Sequence, residues 1–132
     1  MNKKVGVVGL GVMGGAIVTR LLETGHGVRA FDVNADAVAR AVALGATAAS
    51  TPAEAADAGV VILSLPNAPI VEAAAFGDGG AATGASTLVI DMSSVDPAST
   101  ARFAEPQRRP GTPGWMPPSP AARQERWPGR CR

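Results

Sequence analysis

The stretch Val5-Gly6-Val7-Val8-Gly9-Leu10-Gly11-Val12-Met13-Gly14 decides how the rest of this chain is read. Residues 5–8 form a short apolar run, rich in β-branched side chains and stopped by Gly9, which predicts a buried parallel strand. Over residues 12–24 the apolar side chains Met13, Ala16, Ile17, Val18, Leu21 and Leu22 cover most of a helical circumference. A helix packed on a sheet is expected there, with Gly25 closing it. The junction between the two reads G-x-G-x-x-G, and its glycines differ in what they permit. Gly9 allows a tight turn, Gly11 admits a close approach to the backbone, and Gly14 lets the helix pack against the strand.

Outward from this junction the chain keeps alternating. Residues 28–31 predict a second strand ending at Asp32, and residues 35–44 an Ala/Val-rich helix closed by Gly45. Residues 46–48 allow a short third strand. Thr51-Pro52-Ala53-Glu54 has the form of a helix start, with a Thr cap, a proline in the first turn and an acid two residues on. Residues 60–65 predict the strongest strand of the chain, residues 68–76 a helix, and residues 77–85 a Gly/Ala-rich turn region. Residues 87–90 predict another buried strand ending at Asp91, and residues 97–104 a helix capped by Asp96. Strands and helices in alternation, apolar strands and short connections call for an α/β fold: a parallel sheet covered by helices on both sides.

At 132 residues the chain has room for one domain with a hydrophobic core and not for two. Aromatic residues make up 4% of the sequence, so that core must be built from Val, Ile, Leu and Ala. The net charge of +1 hides a split. Residues 1–105 carry 6 Lys/Arg against 10 Asp/Glu, whereas residues 106–132 carry 6 Arg against one Glu, a mildly acidic body with a basic tail. The single cysteine, Cys131, has no partner for an internal disulfide, which fits a reducing, cytoplasmic setting. Met1-Asn2-Lys3-Lys4 before an apolar stretch has the outline of a secretory leader, but glycines at 6, 9, 11, 14 and 15 and the lack of a small-x-small cleavage site argue against one. No stretch approaches the 20 or so apolar residues of a membrane span.

In its strand–turn–helix context the glycine pattern is the fingerprint of a Rossmann-type dinucleotide site, where a helix N-terminus offers free N–H groups to a pyrophosphate. Asp32, closing the next strand eighteen residues beyond Gly14, adds the carboxylate that hydrogen-bonds an adenosine ribose and repels a 2′-phosphate, so NAD is expected over NADP. A methyl-donor-binding domain of related form, or a glycine-rich turn that binds nothing, remain the alternatives at this point.

Residues 7–34, VVGLGVMGGAIVTRLLETGHGVRAFDVN, resemble the N-terminus of the β-hydroxyacid dehydrogenase family, which includes 3-hydroxyisobutyrate dehydrogenase, tartronate semialdehyde reductase and the cofactor domain of 6-phosphogluconate dehydrogenase. The family's GLGxMG is present as residues 9–14, and its helix ending in Gly-His as Gly25-His26. Leu65-Pro66 ends the fourth strand as the family's Leu-Pro does, which implies a place beside the adenosine and nicotinamide ribose, and Asp91-Met92-Ser93-Ser94 resembles its D-x-S-[ST] motif. The resemblance covers about residues 3–105 and implies a cofactor site built from Gly9, Leu10, Gly11, Val12, Met13, Gly14, Asp32, Asn34, Leu65, Pro66 and Ser94, the last hydroxyl lying near the nicotinamide ribose. One departure stands out. The family often places Asn four residues after the Leu-Pro proline, where this chain has Ile70; Asn67 is nearby but out of register.

The resemblance further implies hydride transfer between NAD(P) and a 3-hydroxyacid or its semialdehyde, in homo-oligomeric full-length proteins. It implies a Ser-Gly-Gly motif for the substrate carboxylate, a catalytic lysine beyond the sheet and an all-helical C-terminal domain. None of these is visible here, so no catalytic residue and no metal ligand is assigned. Lys3 and Lys4, the only lysines, precede the first strand, and His26, the only histidine, reads as a turn residue meeting the last carbonyls of the first helix. Met13 is expected under the cofactor or in the core.

Residues 106–132 break with all this. They hold 7 of the 11 prolines, both tryptophans and the cysteine, so no long helix or central strand fits them. Taken at face value they are a disordered basic tail, and the chain a stand-alone NAD-binding module with an arm for an acidic partner. The genetic code offers another reading. Trp115 and Met116 have single codons, and shifting the frame back one base across Trp115-Met116-Pro117 forces Asp then Ala. With permitted third bases residues 114–122 then yield LDAPVSGG, and residues 124–130 GALAGT, the family's substrate-binding motifs in register. A frameshift near Glu105 is therefore expected, leaving 1–105 as an incomplete Rossmann domain without its last strand and helical domain. Such a product is expected to bind cofactor, to lack activity and to be association-prone along an exposed strand at residues 87–90. It is expected to bind neither nucleic acid nor membrane.

Overall fold

The computed structural model describes residues 3–83 and 87–105. Its elements run β1 (Lys4–Val8), α1 (Val12–Glu23), β2 (Gly27–Phe31), α2 (Ala35–Ala43), β3 (Thr47–Ala48), α3 (Pro52–Ala56), β4 (Val60–Leu63), α4 (Ala68–Phe76), a 3-10 turn (Ala81–Thr83), β5 (Leu88–Asp91) and α5 (Pro97–Ala104). All strand pairs are parallel, in the order β3-β2-β1-β4-β5. This is the doubly wound Rossmann arrangement: the chain winds outward from β1 through β2 to β3, then crosses back to place β4 on the other side of β1.

Alternation along β1 feeds two cores. Val7, with Val28 and Ala30 of β2, packs beneath α1 and α2 through Val18, Ala37 and Ala41. Val8, with Val61 and Leu63 of β4, packs beneath α3 and α4 through Ala55, Ala56, Val71 and Ala75. The residues are small and aliphatic, as the scarcity of aromatics requires. Burying each of the fully enclosed Val and Leu side chains is worth about 1.5–3 kcal/mol.

Local chemistry sets the boundaries. Gly25 (φ +82°) ends α1 with paired bonds from its own N–H to Leu22 C=O (3.0 Å) and from His26 N–H to Leu21 C=O (2.9 Å), and the same pattern at Gly45 ends α2. Asn34, Thr51, Asn67 and Asp96 cap α2, α3, α4 and α5, each side chain accepting a backbone N–H of the first turn. Asn67, out of register with the family's Asn, thus serves the start of α4.

One expectation needs correction, and another is met. The strand predicted over residues 60–65 stops at Leu63; Ser64 N–H still reaches Val8 C=O (2.9 Å), but the next backbone donor on the β5 side, Leu65 N–H, goes to the Ser93 side chain (2.9 Å) and not to a strand carbonyl. The strand at 87–90, apolar enough to be buried but expected to be left exposed without a sixth strand, is indeed the sheet's edge among the described residues. Val89 packs into the α3–α4 core, but its neighbours Leu88 and Ile90 are 59% and 39% exposed. Part of the predicted turn at 77–85 is the 3-10 segment; residues 84–86, and the tail reading for 106–132, lie outside the described residues.

Candidate cofactor site

Beyond the carboxyl ends of β1, β2 and β4, where the winding direction reverses, lies a cleft of 540 Å³. In open parallel sheets this switch point is where the loops diverge and leave a crevice. Its floor is the glycine turn. Gly9 takes φ +92°, and a side chain on it would collide with the Ser64 carbonyl. A Cβ on Gly14 would strike the Gly9 carbonyl, so the third glycine lets α1 close onto the turn itself. A Cβ on Gly11 would meet nothing within 4 Å. The fold does not need that glycine for space.

At this floor α1 begins with Gly11 as its cap and no side-chain capping bond. The first intrahelical bond runs from Gly15 N–H to Gly11 C=O (2.8 Å), which leaves the N–H groups of Val12, Met13 and Gly14 without partners inside the helix. Val12 is 93% exposed, so this helix start is open to solvent. Among the residues lining the cleft, Asp32 alone is ionisable. Within this cleft a bound diphosphate would be met by backbone amides and the helix dipole. The donor set fits a dinucleotide.

Asp32 is built in from both sides. Its Oδ2 accepts Leu10 N–H (2.6 Å) and its Oδ1 accepts Asn34 N–H (2.8 Å). Each carboxylate oxygen retains capacity for a second donor such as a ribose hydroxyl.

The structure brings Gly9, Gly11, Val12, Met13, Gly14, Asp32, Leu65 and Pro66 together along the cleft. Three other residues that the sequence suggested as cofactor contacts sit differently. The Leu10 side chain is buried in the core beneath α1 and α2, and only its amide serves the site. The Asn34 side chain caps α2 by accepting Asp36 N–H (3.0 Å). Ser94 is exposed and does not line the cleft. Met13, expected beneath a cofactor or in the core, is 65% exposed on the cleft wall and so is no core residue.

Sequence reasoning passed over Val8, Phe31, Val33, Ser64 and Ala74, which also line the cleft, and Ser93, whose hydroxyl ties the β4 and β5 loops together. Phe31 and Val33 flank Asp32 and could have been found by adjacency. Ile70, noted for departing from the family's Asn, also lines the cleft and gives it an apolar patch.

His26 lies at the opposite edge of the sheet, just before β2, with Nδ1 3.0 Å from Thr24 Oγ1. Its meeting with the helix carbonyls is made by the backbone amide, while the ring reaches them only through Thr24, whose hydroxyl bonds Arg20 C=O and Leu21 C=O. Lys4 begins β1 at that same far edge.

A family model for the NAD binding domain of 6-phosphogluconate dehydrogenase matches residues 4–112. The chain belongs to the β-hydroxyacid dehydrogenase family. It carries that family's NAD-binding domain, and the match extends seven residues past Glu105. The 3-sulfolactaldehyde reductase of Escherichia coli K12 is 49% identical over 96 residues, covering 70% of this chain and 32% of the reductase. The solved structure of Mycobacterium tuberculosis 3-hydroxyisobutyrate dehydrogenase with L-serine superposes with a TM-score of 0.71 at 32% identity, over 80% of this chain and 36% of that one. A reductive aminase from Aspergillus terreus, in complex with NADPH and ethyl levulinate, gives a TM-score of 0.70 at 26% identity, over 80% and 36% of the two chains. This chain thus spans about a third of the length of the relatives it matches.

Proposed function

We propose that residues 1–105 bind NAD in preference to NADP, as the cofactor half of an oxidoreductase that moves hydride between the nicotinamide and a 3-hydroxyacid or its semialdehyde in the cytoplasm. The observation that carries this reading is the seating of Asp32. Its carboxylate is fixed by Leu10 N–H and Asn34 N–H at the rim of a cleft whose lining includes no cation to neutralise a 2′-phosphate. NAD, when bound, supplies the hydride acceptor. The chain's own part is to hold it: Asp32 accepts the ribose hydroxyls, the amides of Val12, Met13 and Gly14 take the diphosphate, and Leu65-Pro66 walls the β4 side. Replacing a 2′-hydroxyl by a dianionic phosphate beside Asp32 sets like charges together, at a cost that grows as water is excluded. Titration calorimetry with both cofactors tests the reading; equal affinity, or a preference for NADP, overturns it.

We further propose that the described chain does not turn over substrate unaided. The only lysines, Lys3 and Lys4, lie at or before the start of β1, across the sheet from the cleft. Lack of a positioned acid/base removes about 10²–10⁴-fold in rate. An assay on 3-hydroxyisobutyrate with NAD reads this directly, and turnover above background contradicts it. Residues 106–132 are proposed to be an out-of-frame reading of the family's substrate-binding segment. DNA sequence across codons 100 to 110 decides the matter. An intact frame without LDAPVSGG in the shifted one favours the other reading, a free-standing NAD-binding module whose arginine-rich arm meets an acidic partner.

A further inference from the structure

Two loops at the carboxyl edge of the sheet, β4–α4 and β5–α5, are joined by one hydrogen bond: Leu65 N–H donates to Ser93 Oγ at 2.9 Å. In register, Leu63 lies opposite Asp91, and Met92 N–H donates to Leu63 C=O (2.9 Å). A parallel ladder continued by one more step would hand Leu65 N–H to the Met92 carbonyl. The ladder does not continue. Asp91 Oδ1 accepts Ser93 N–H (2.9 Å), which turns the chain after β5 and swings the Ser93 hydroxyl into the place that a strand carbonyl would have taken. A side chain thereby finishes the sheet where its backbone leaves off, and the residue it holds, Leu65, lines the cleft with Pro66.

The placement of Leu65 gives this bond a consequence for ligand binding. A dinucleotide lies across the switch point with one nucleoside on each side of β1. Asp32 marks the β2 side as the adenosine half, so the β4 side, walled by Leu65-Pro66, receives the second nucleoside. We propose that Ser93 is a positioning residue for that second nucleoside, holding the Leu65-Pro66 wall through its hydroxyl. The inference rests on the dinucleotide reading above. Ser93 touches the wall and not the adenosine side, so its removal acts on one half of the ligand only.

Titration calorimetry on the full chain separates the halves, with ADP reporting the adenosine side and NAD reporting both. Ser93→Ala is expected to weaken NAD about five-fold, the worth of one net hydrogen bond, with ADP unchanged within about two-fold. Ser93→Thr keeps a hydroxyl and is expected to retain NAD affinity, while its near-isostere Ser93→Val is expected to lose it as Ser93→Ala does. If Ser93→Ala leaves NAD untouched, if it weakens ADP and NAD alike, or if Thr behaves as Val, the positioning role is overturned while the dinucleotide site stands. A wild-type chain that binds neither ADP nor NAD overturns the dinucleotide reading, and this inference with it.

Discussion

Asp32, at the end of β2, accepts the backbone N–H of Leu10 at 2.6 Å across 22 residues of sequence. The residue proposed to select the cofactor also pins the loop proposed to hold its phosphates. On that proposal selectivity and loop geometry share one carboxylate, and substitutions at Asp32 should separate them.

Asp32→Ala is expected to cost about 1–3 kcal/mol of stability, because Leu10 N–H loses its partner, and to abolish the preference for NAD. Asp32→Asn keeps an acceptor for Leu10 and should retain most of that stability while narrowing the NAD/NADP ratio about 10- to 100-fold. Urea melts and calorimetry read the two effects. Equal stability loss in both variants contradicts the shared role.

The glycines of the turn should divide in the same way. Gly11→Ala adds a Cβ into open space and should change stability by less than about 1 kcal/mol while weakening NAD. Gly14→Ala drives a Cβ onto the Gly9 carbonyl and should destabilise the fold by about 1–3 kcal/mol or more. Matching melting temperatures for the two variants would contradict the assignment of separate roles.

Along β5, Leu88 and Ile90 stand exposed at the sheet edge, with Met92 just beyond it 55% exposed. An open apolar edge is a template for pairing with another chain. The protein is expected to associate as its concentration rises, and Ile90→Lys to shift sedimentation toward monomer. A wild-type chain that stays monomeric at high concentration contradicts this.

Two carboxylates are expected to give the fold a pH dependence. The N–H of Ser50, donated to the Glu54 side chain, holds the Glu54 carboxyl below its usual value, and the hydroxyl and N–H of Ser99 do the same for Asp96. A folded pKa below the unfolded one adds stability that is present above the unfolded value and is lost as pH falls through the folded one. Denaturation midpoints should therefore decline as pH drops below about 4.5, and Asp96→Asn combined with Glu54→Gln should flatten that decline. A slope unchanged in the double variant would show that other groups carry it.

Much of the fold was legible in order, since periodicity and caps are local. The helix starts at Thr51 and Asp96 and the glycine stops at Gly25 and Gly45 depend on hydrogen bonds reaching no further than one turn, so the residue types alone announce them. The span of β4 was not legible. Its apolar run continues to Leu65, but the strand ends at Leu63, and Leu65 N–H goes to a hydroxyl 28 residues further on. Nor does apolar character report exposure: Leu88 and Ile90 are aliphatic, and the expectation of an open edge there comes from the absent sixth strand, not from their side chains.

The sequence by itself determined the alternation of strand and helix, the glycine turn between the first pair, and the acid that closes the second strand. Their causes lie in the φ/ψ demands and side-chain periodicity of neighbouring residues. Only the tertiary structure decided which of the suggested residues meet. It set Asp32 against Leu10, turned Asn34 to a helix cap, left Ser94 in solvent and made Ser93 the tie between two loops. Those outcomes follow from strand order and register, which bring distant segments within hydrogen-bond reach and which no local pattern encodes.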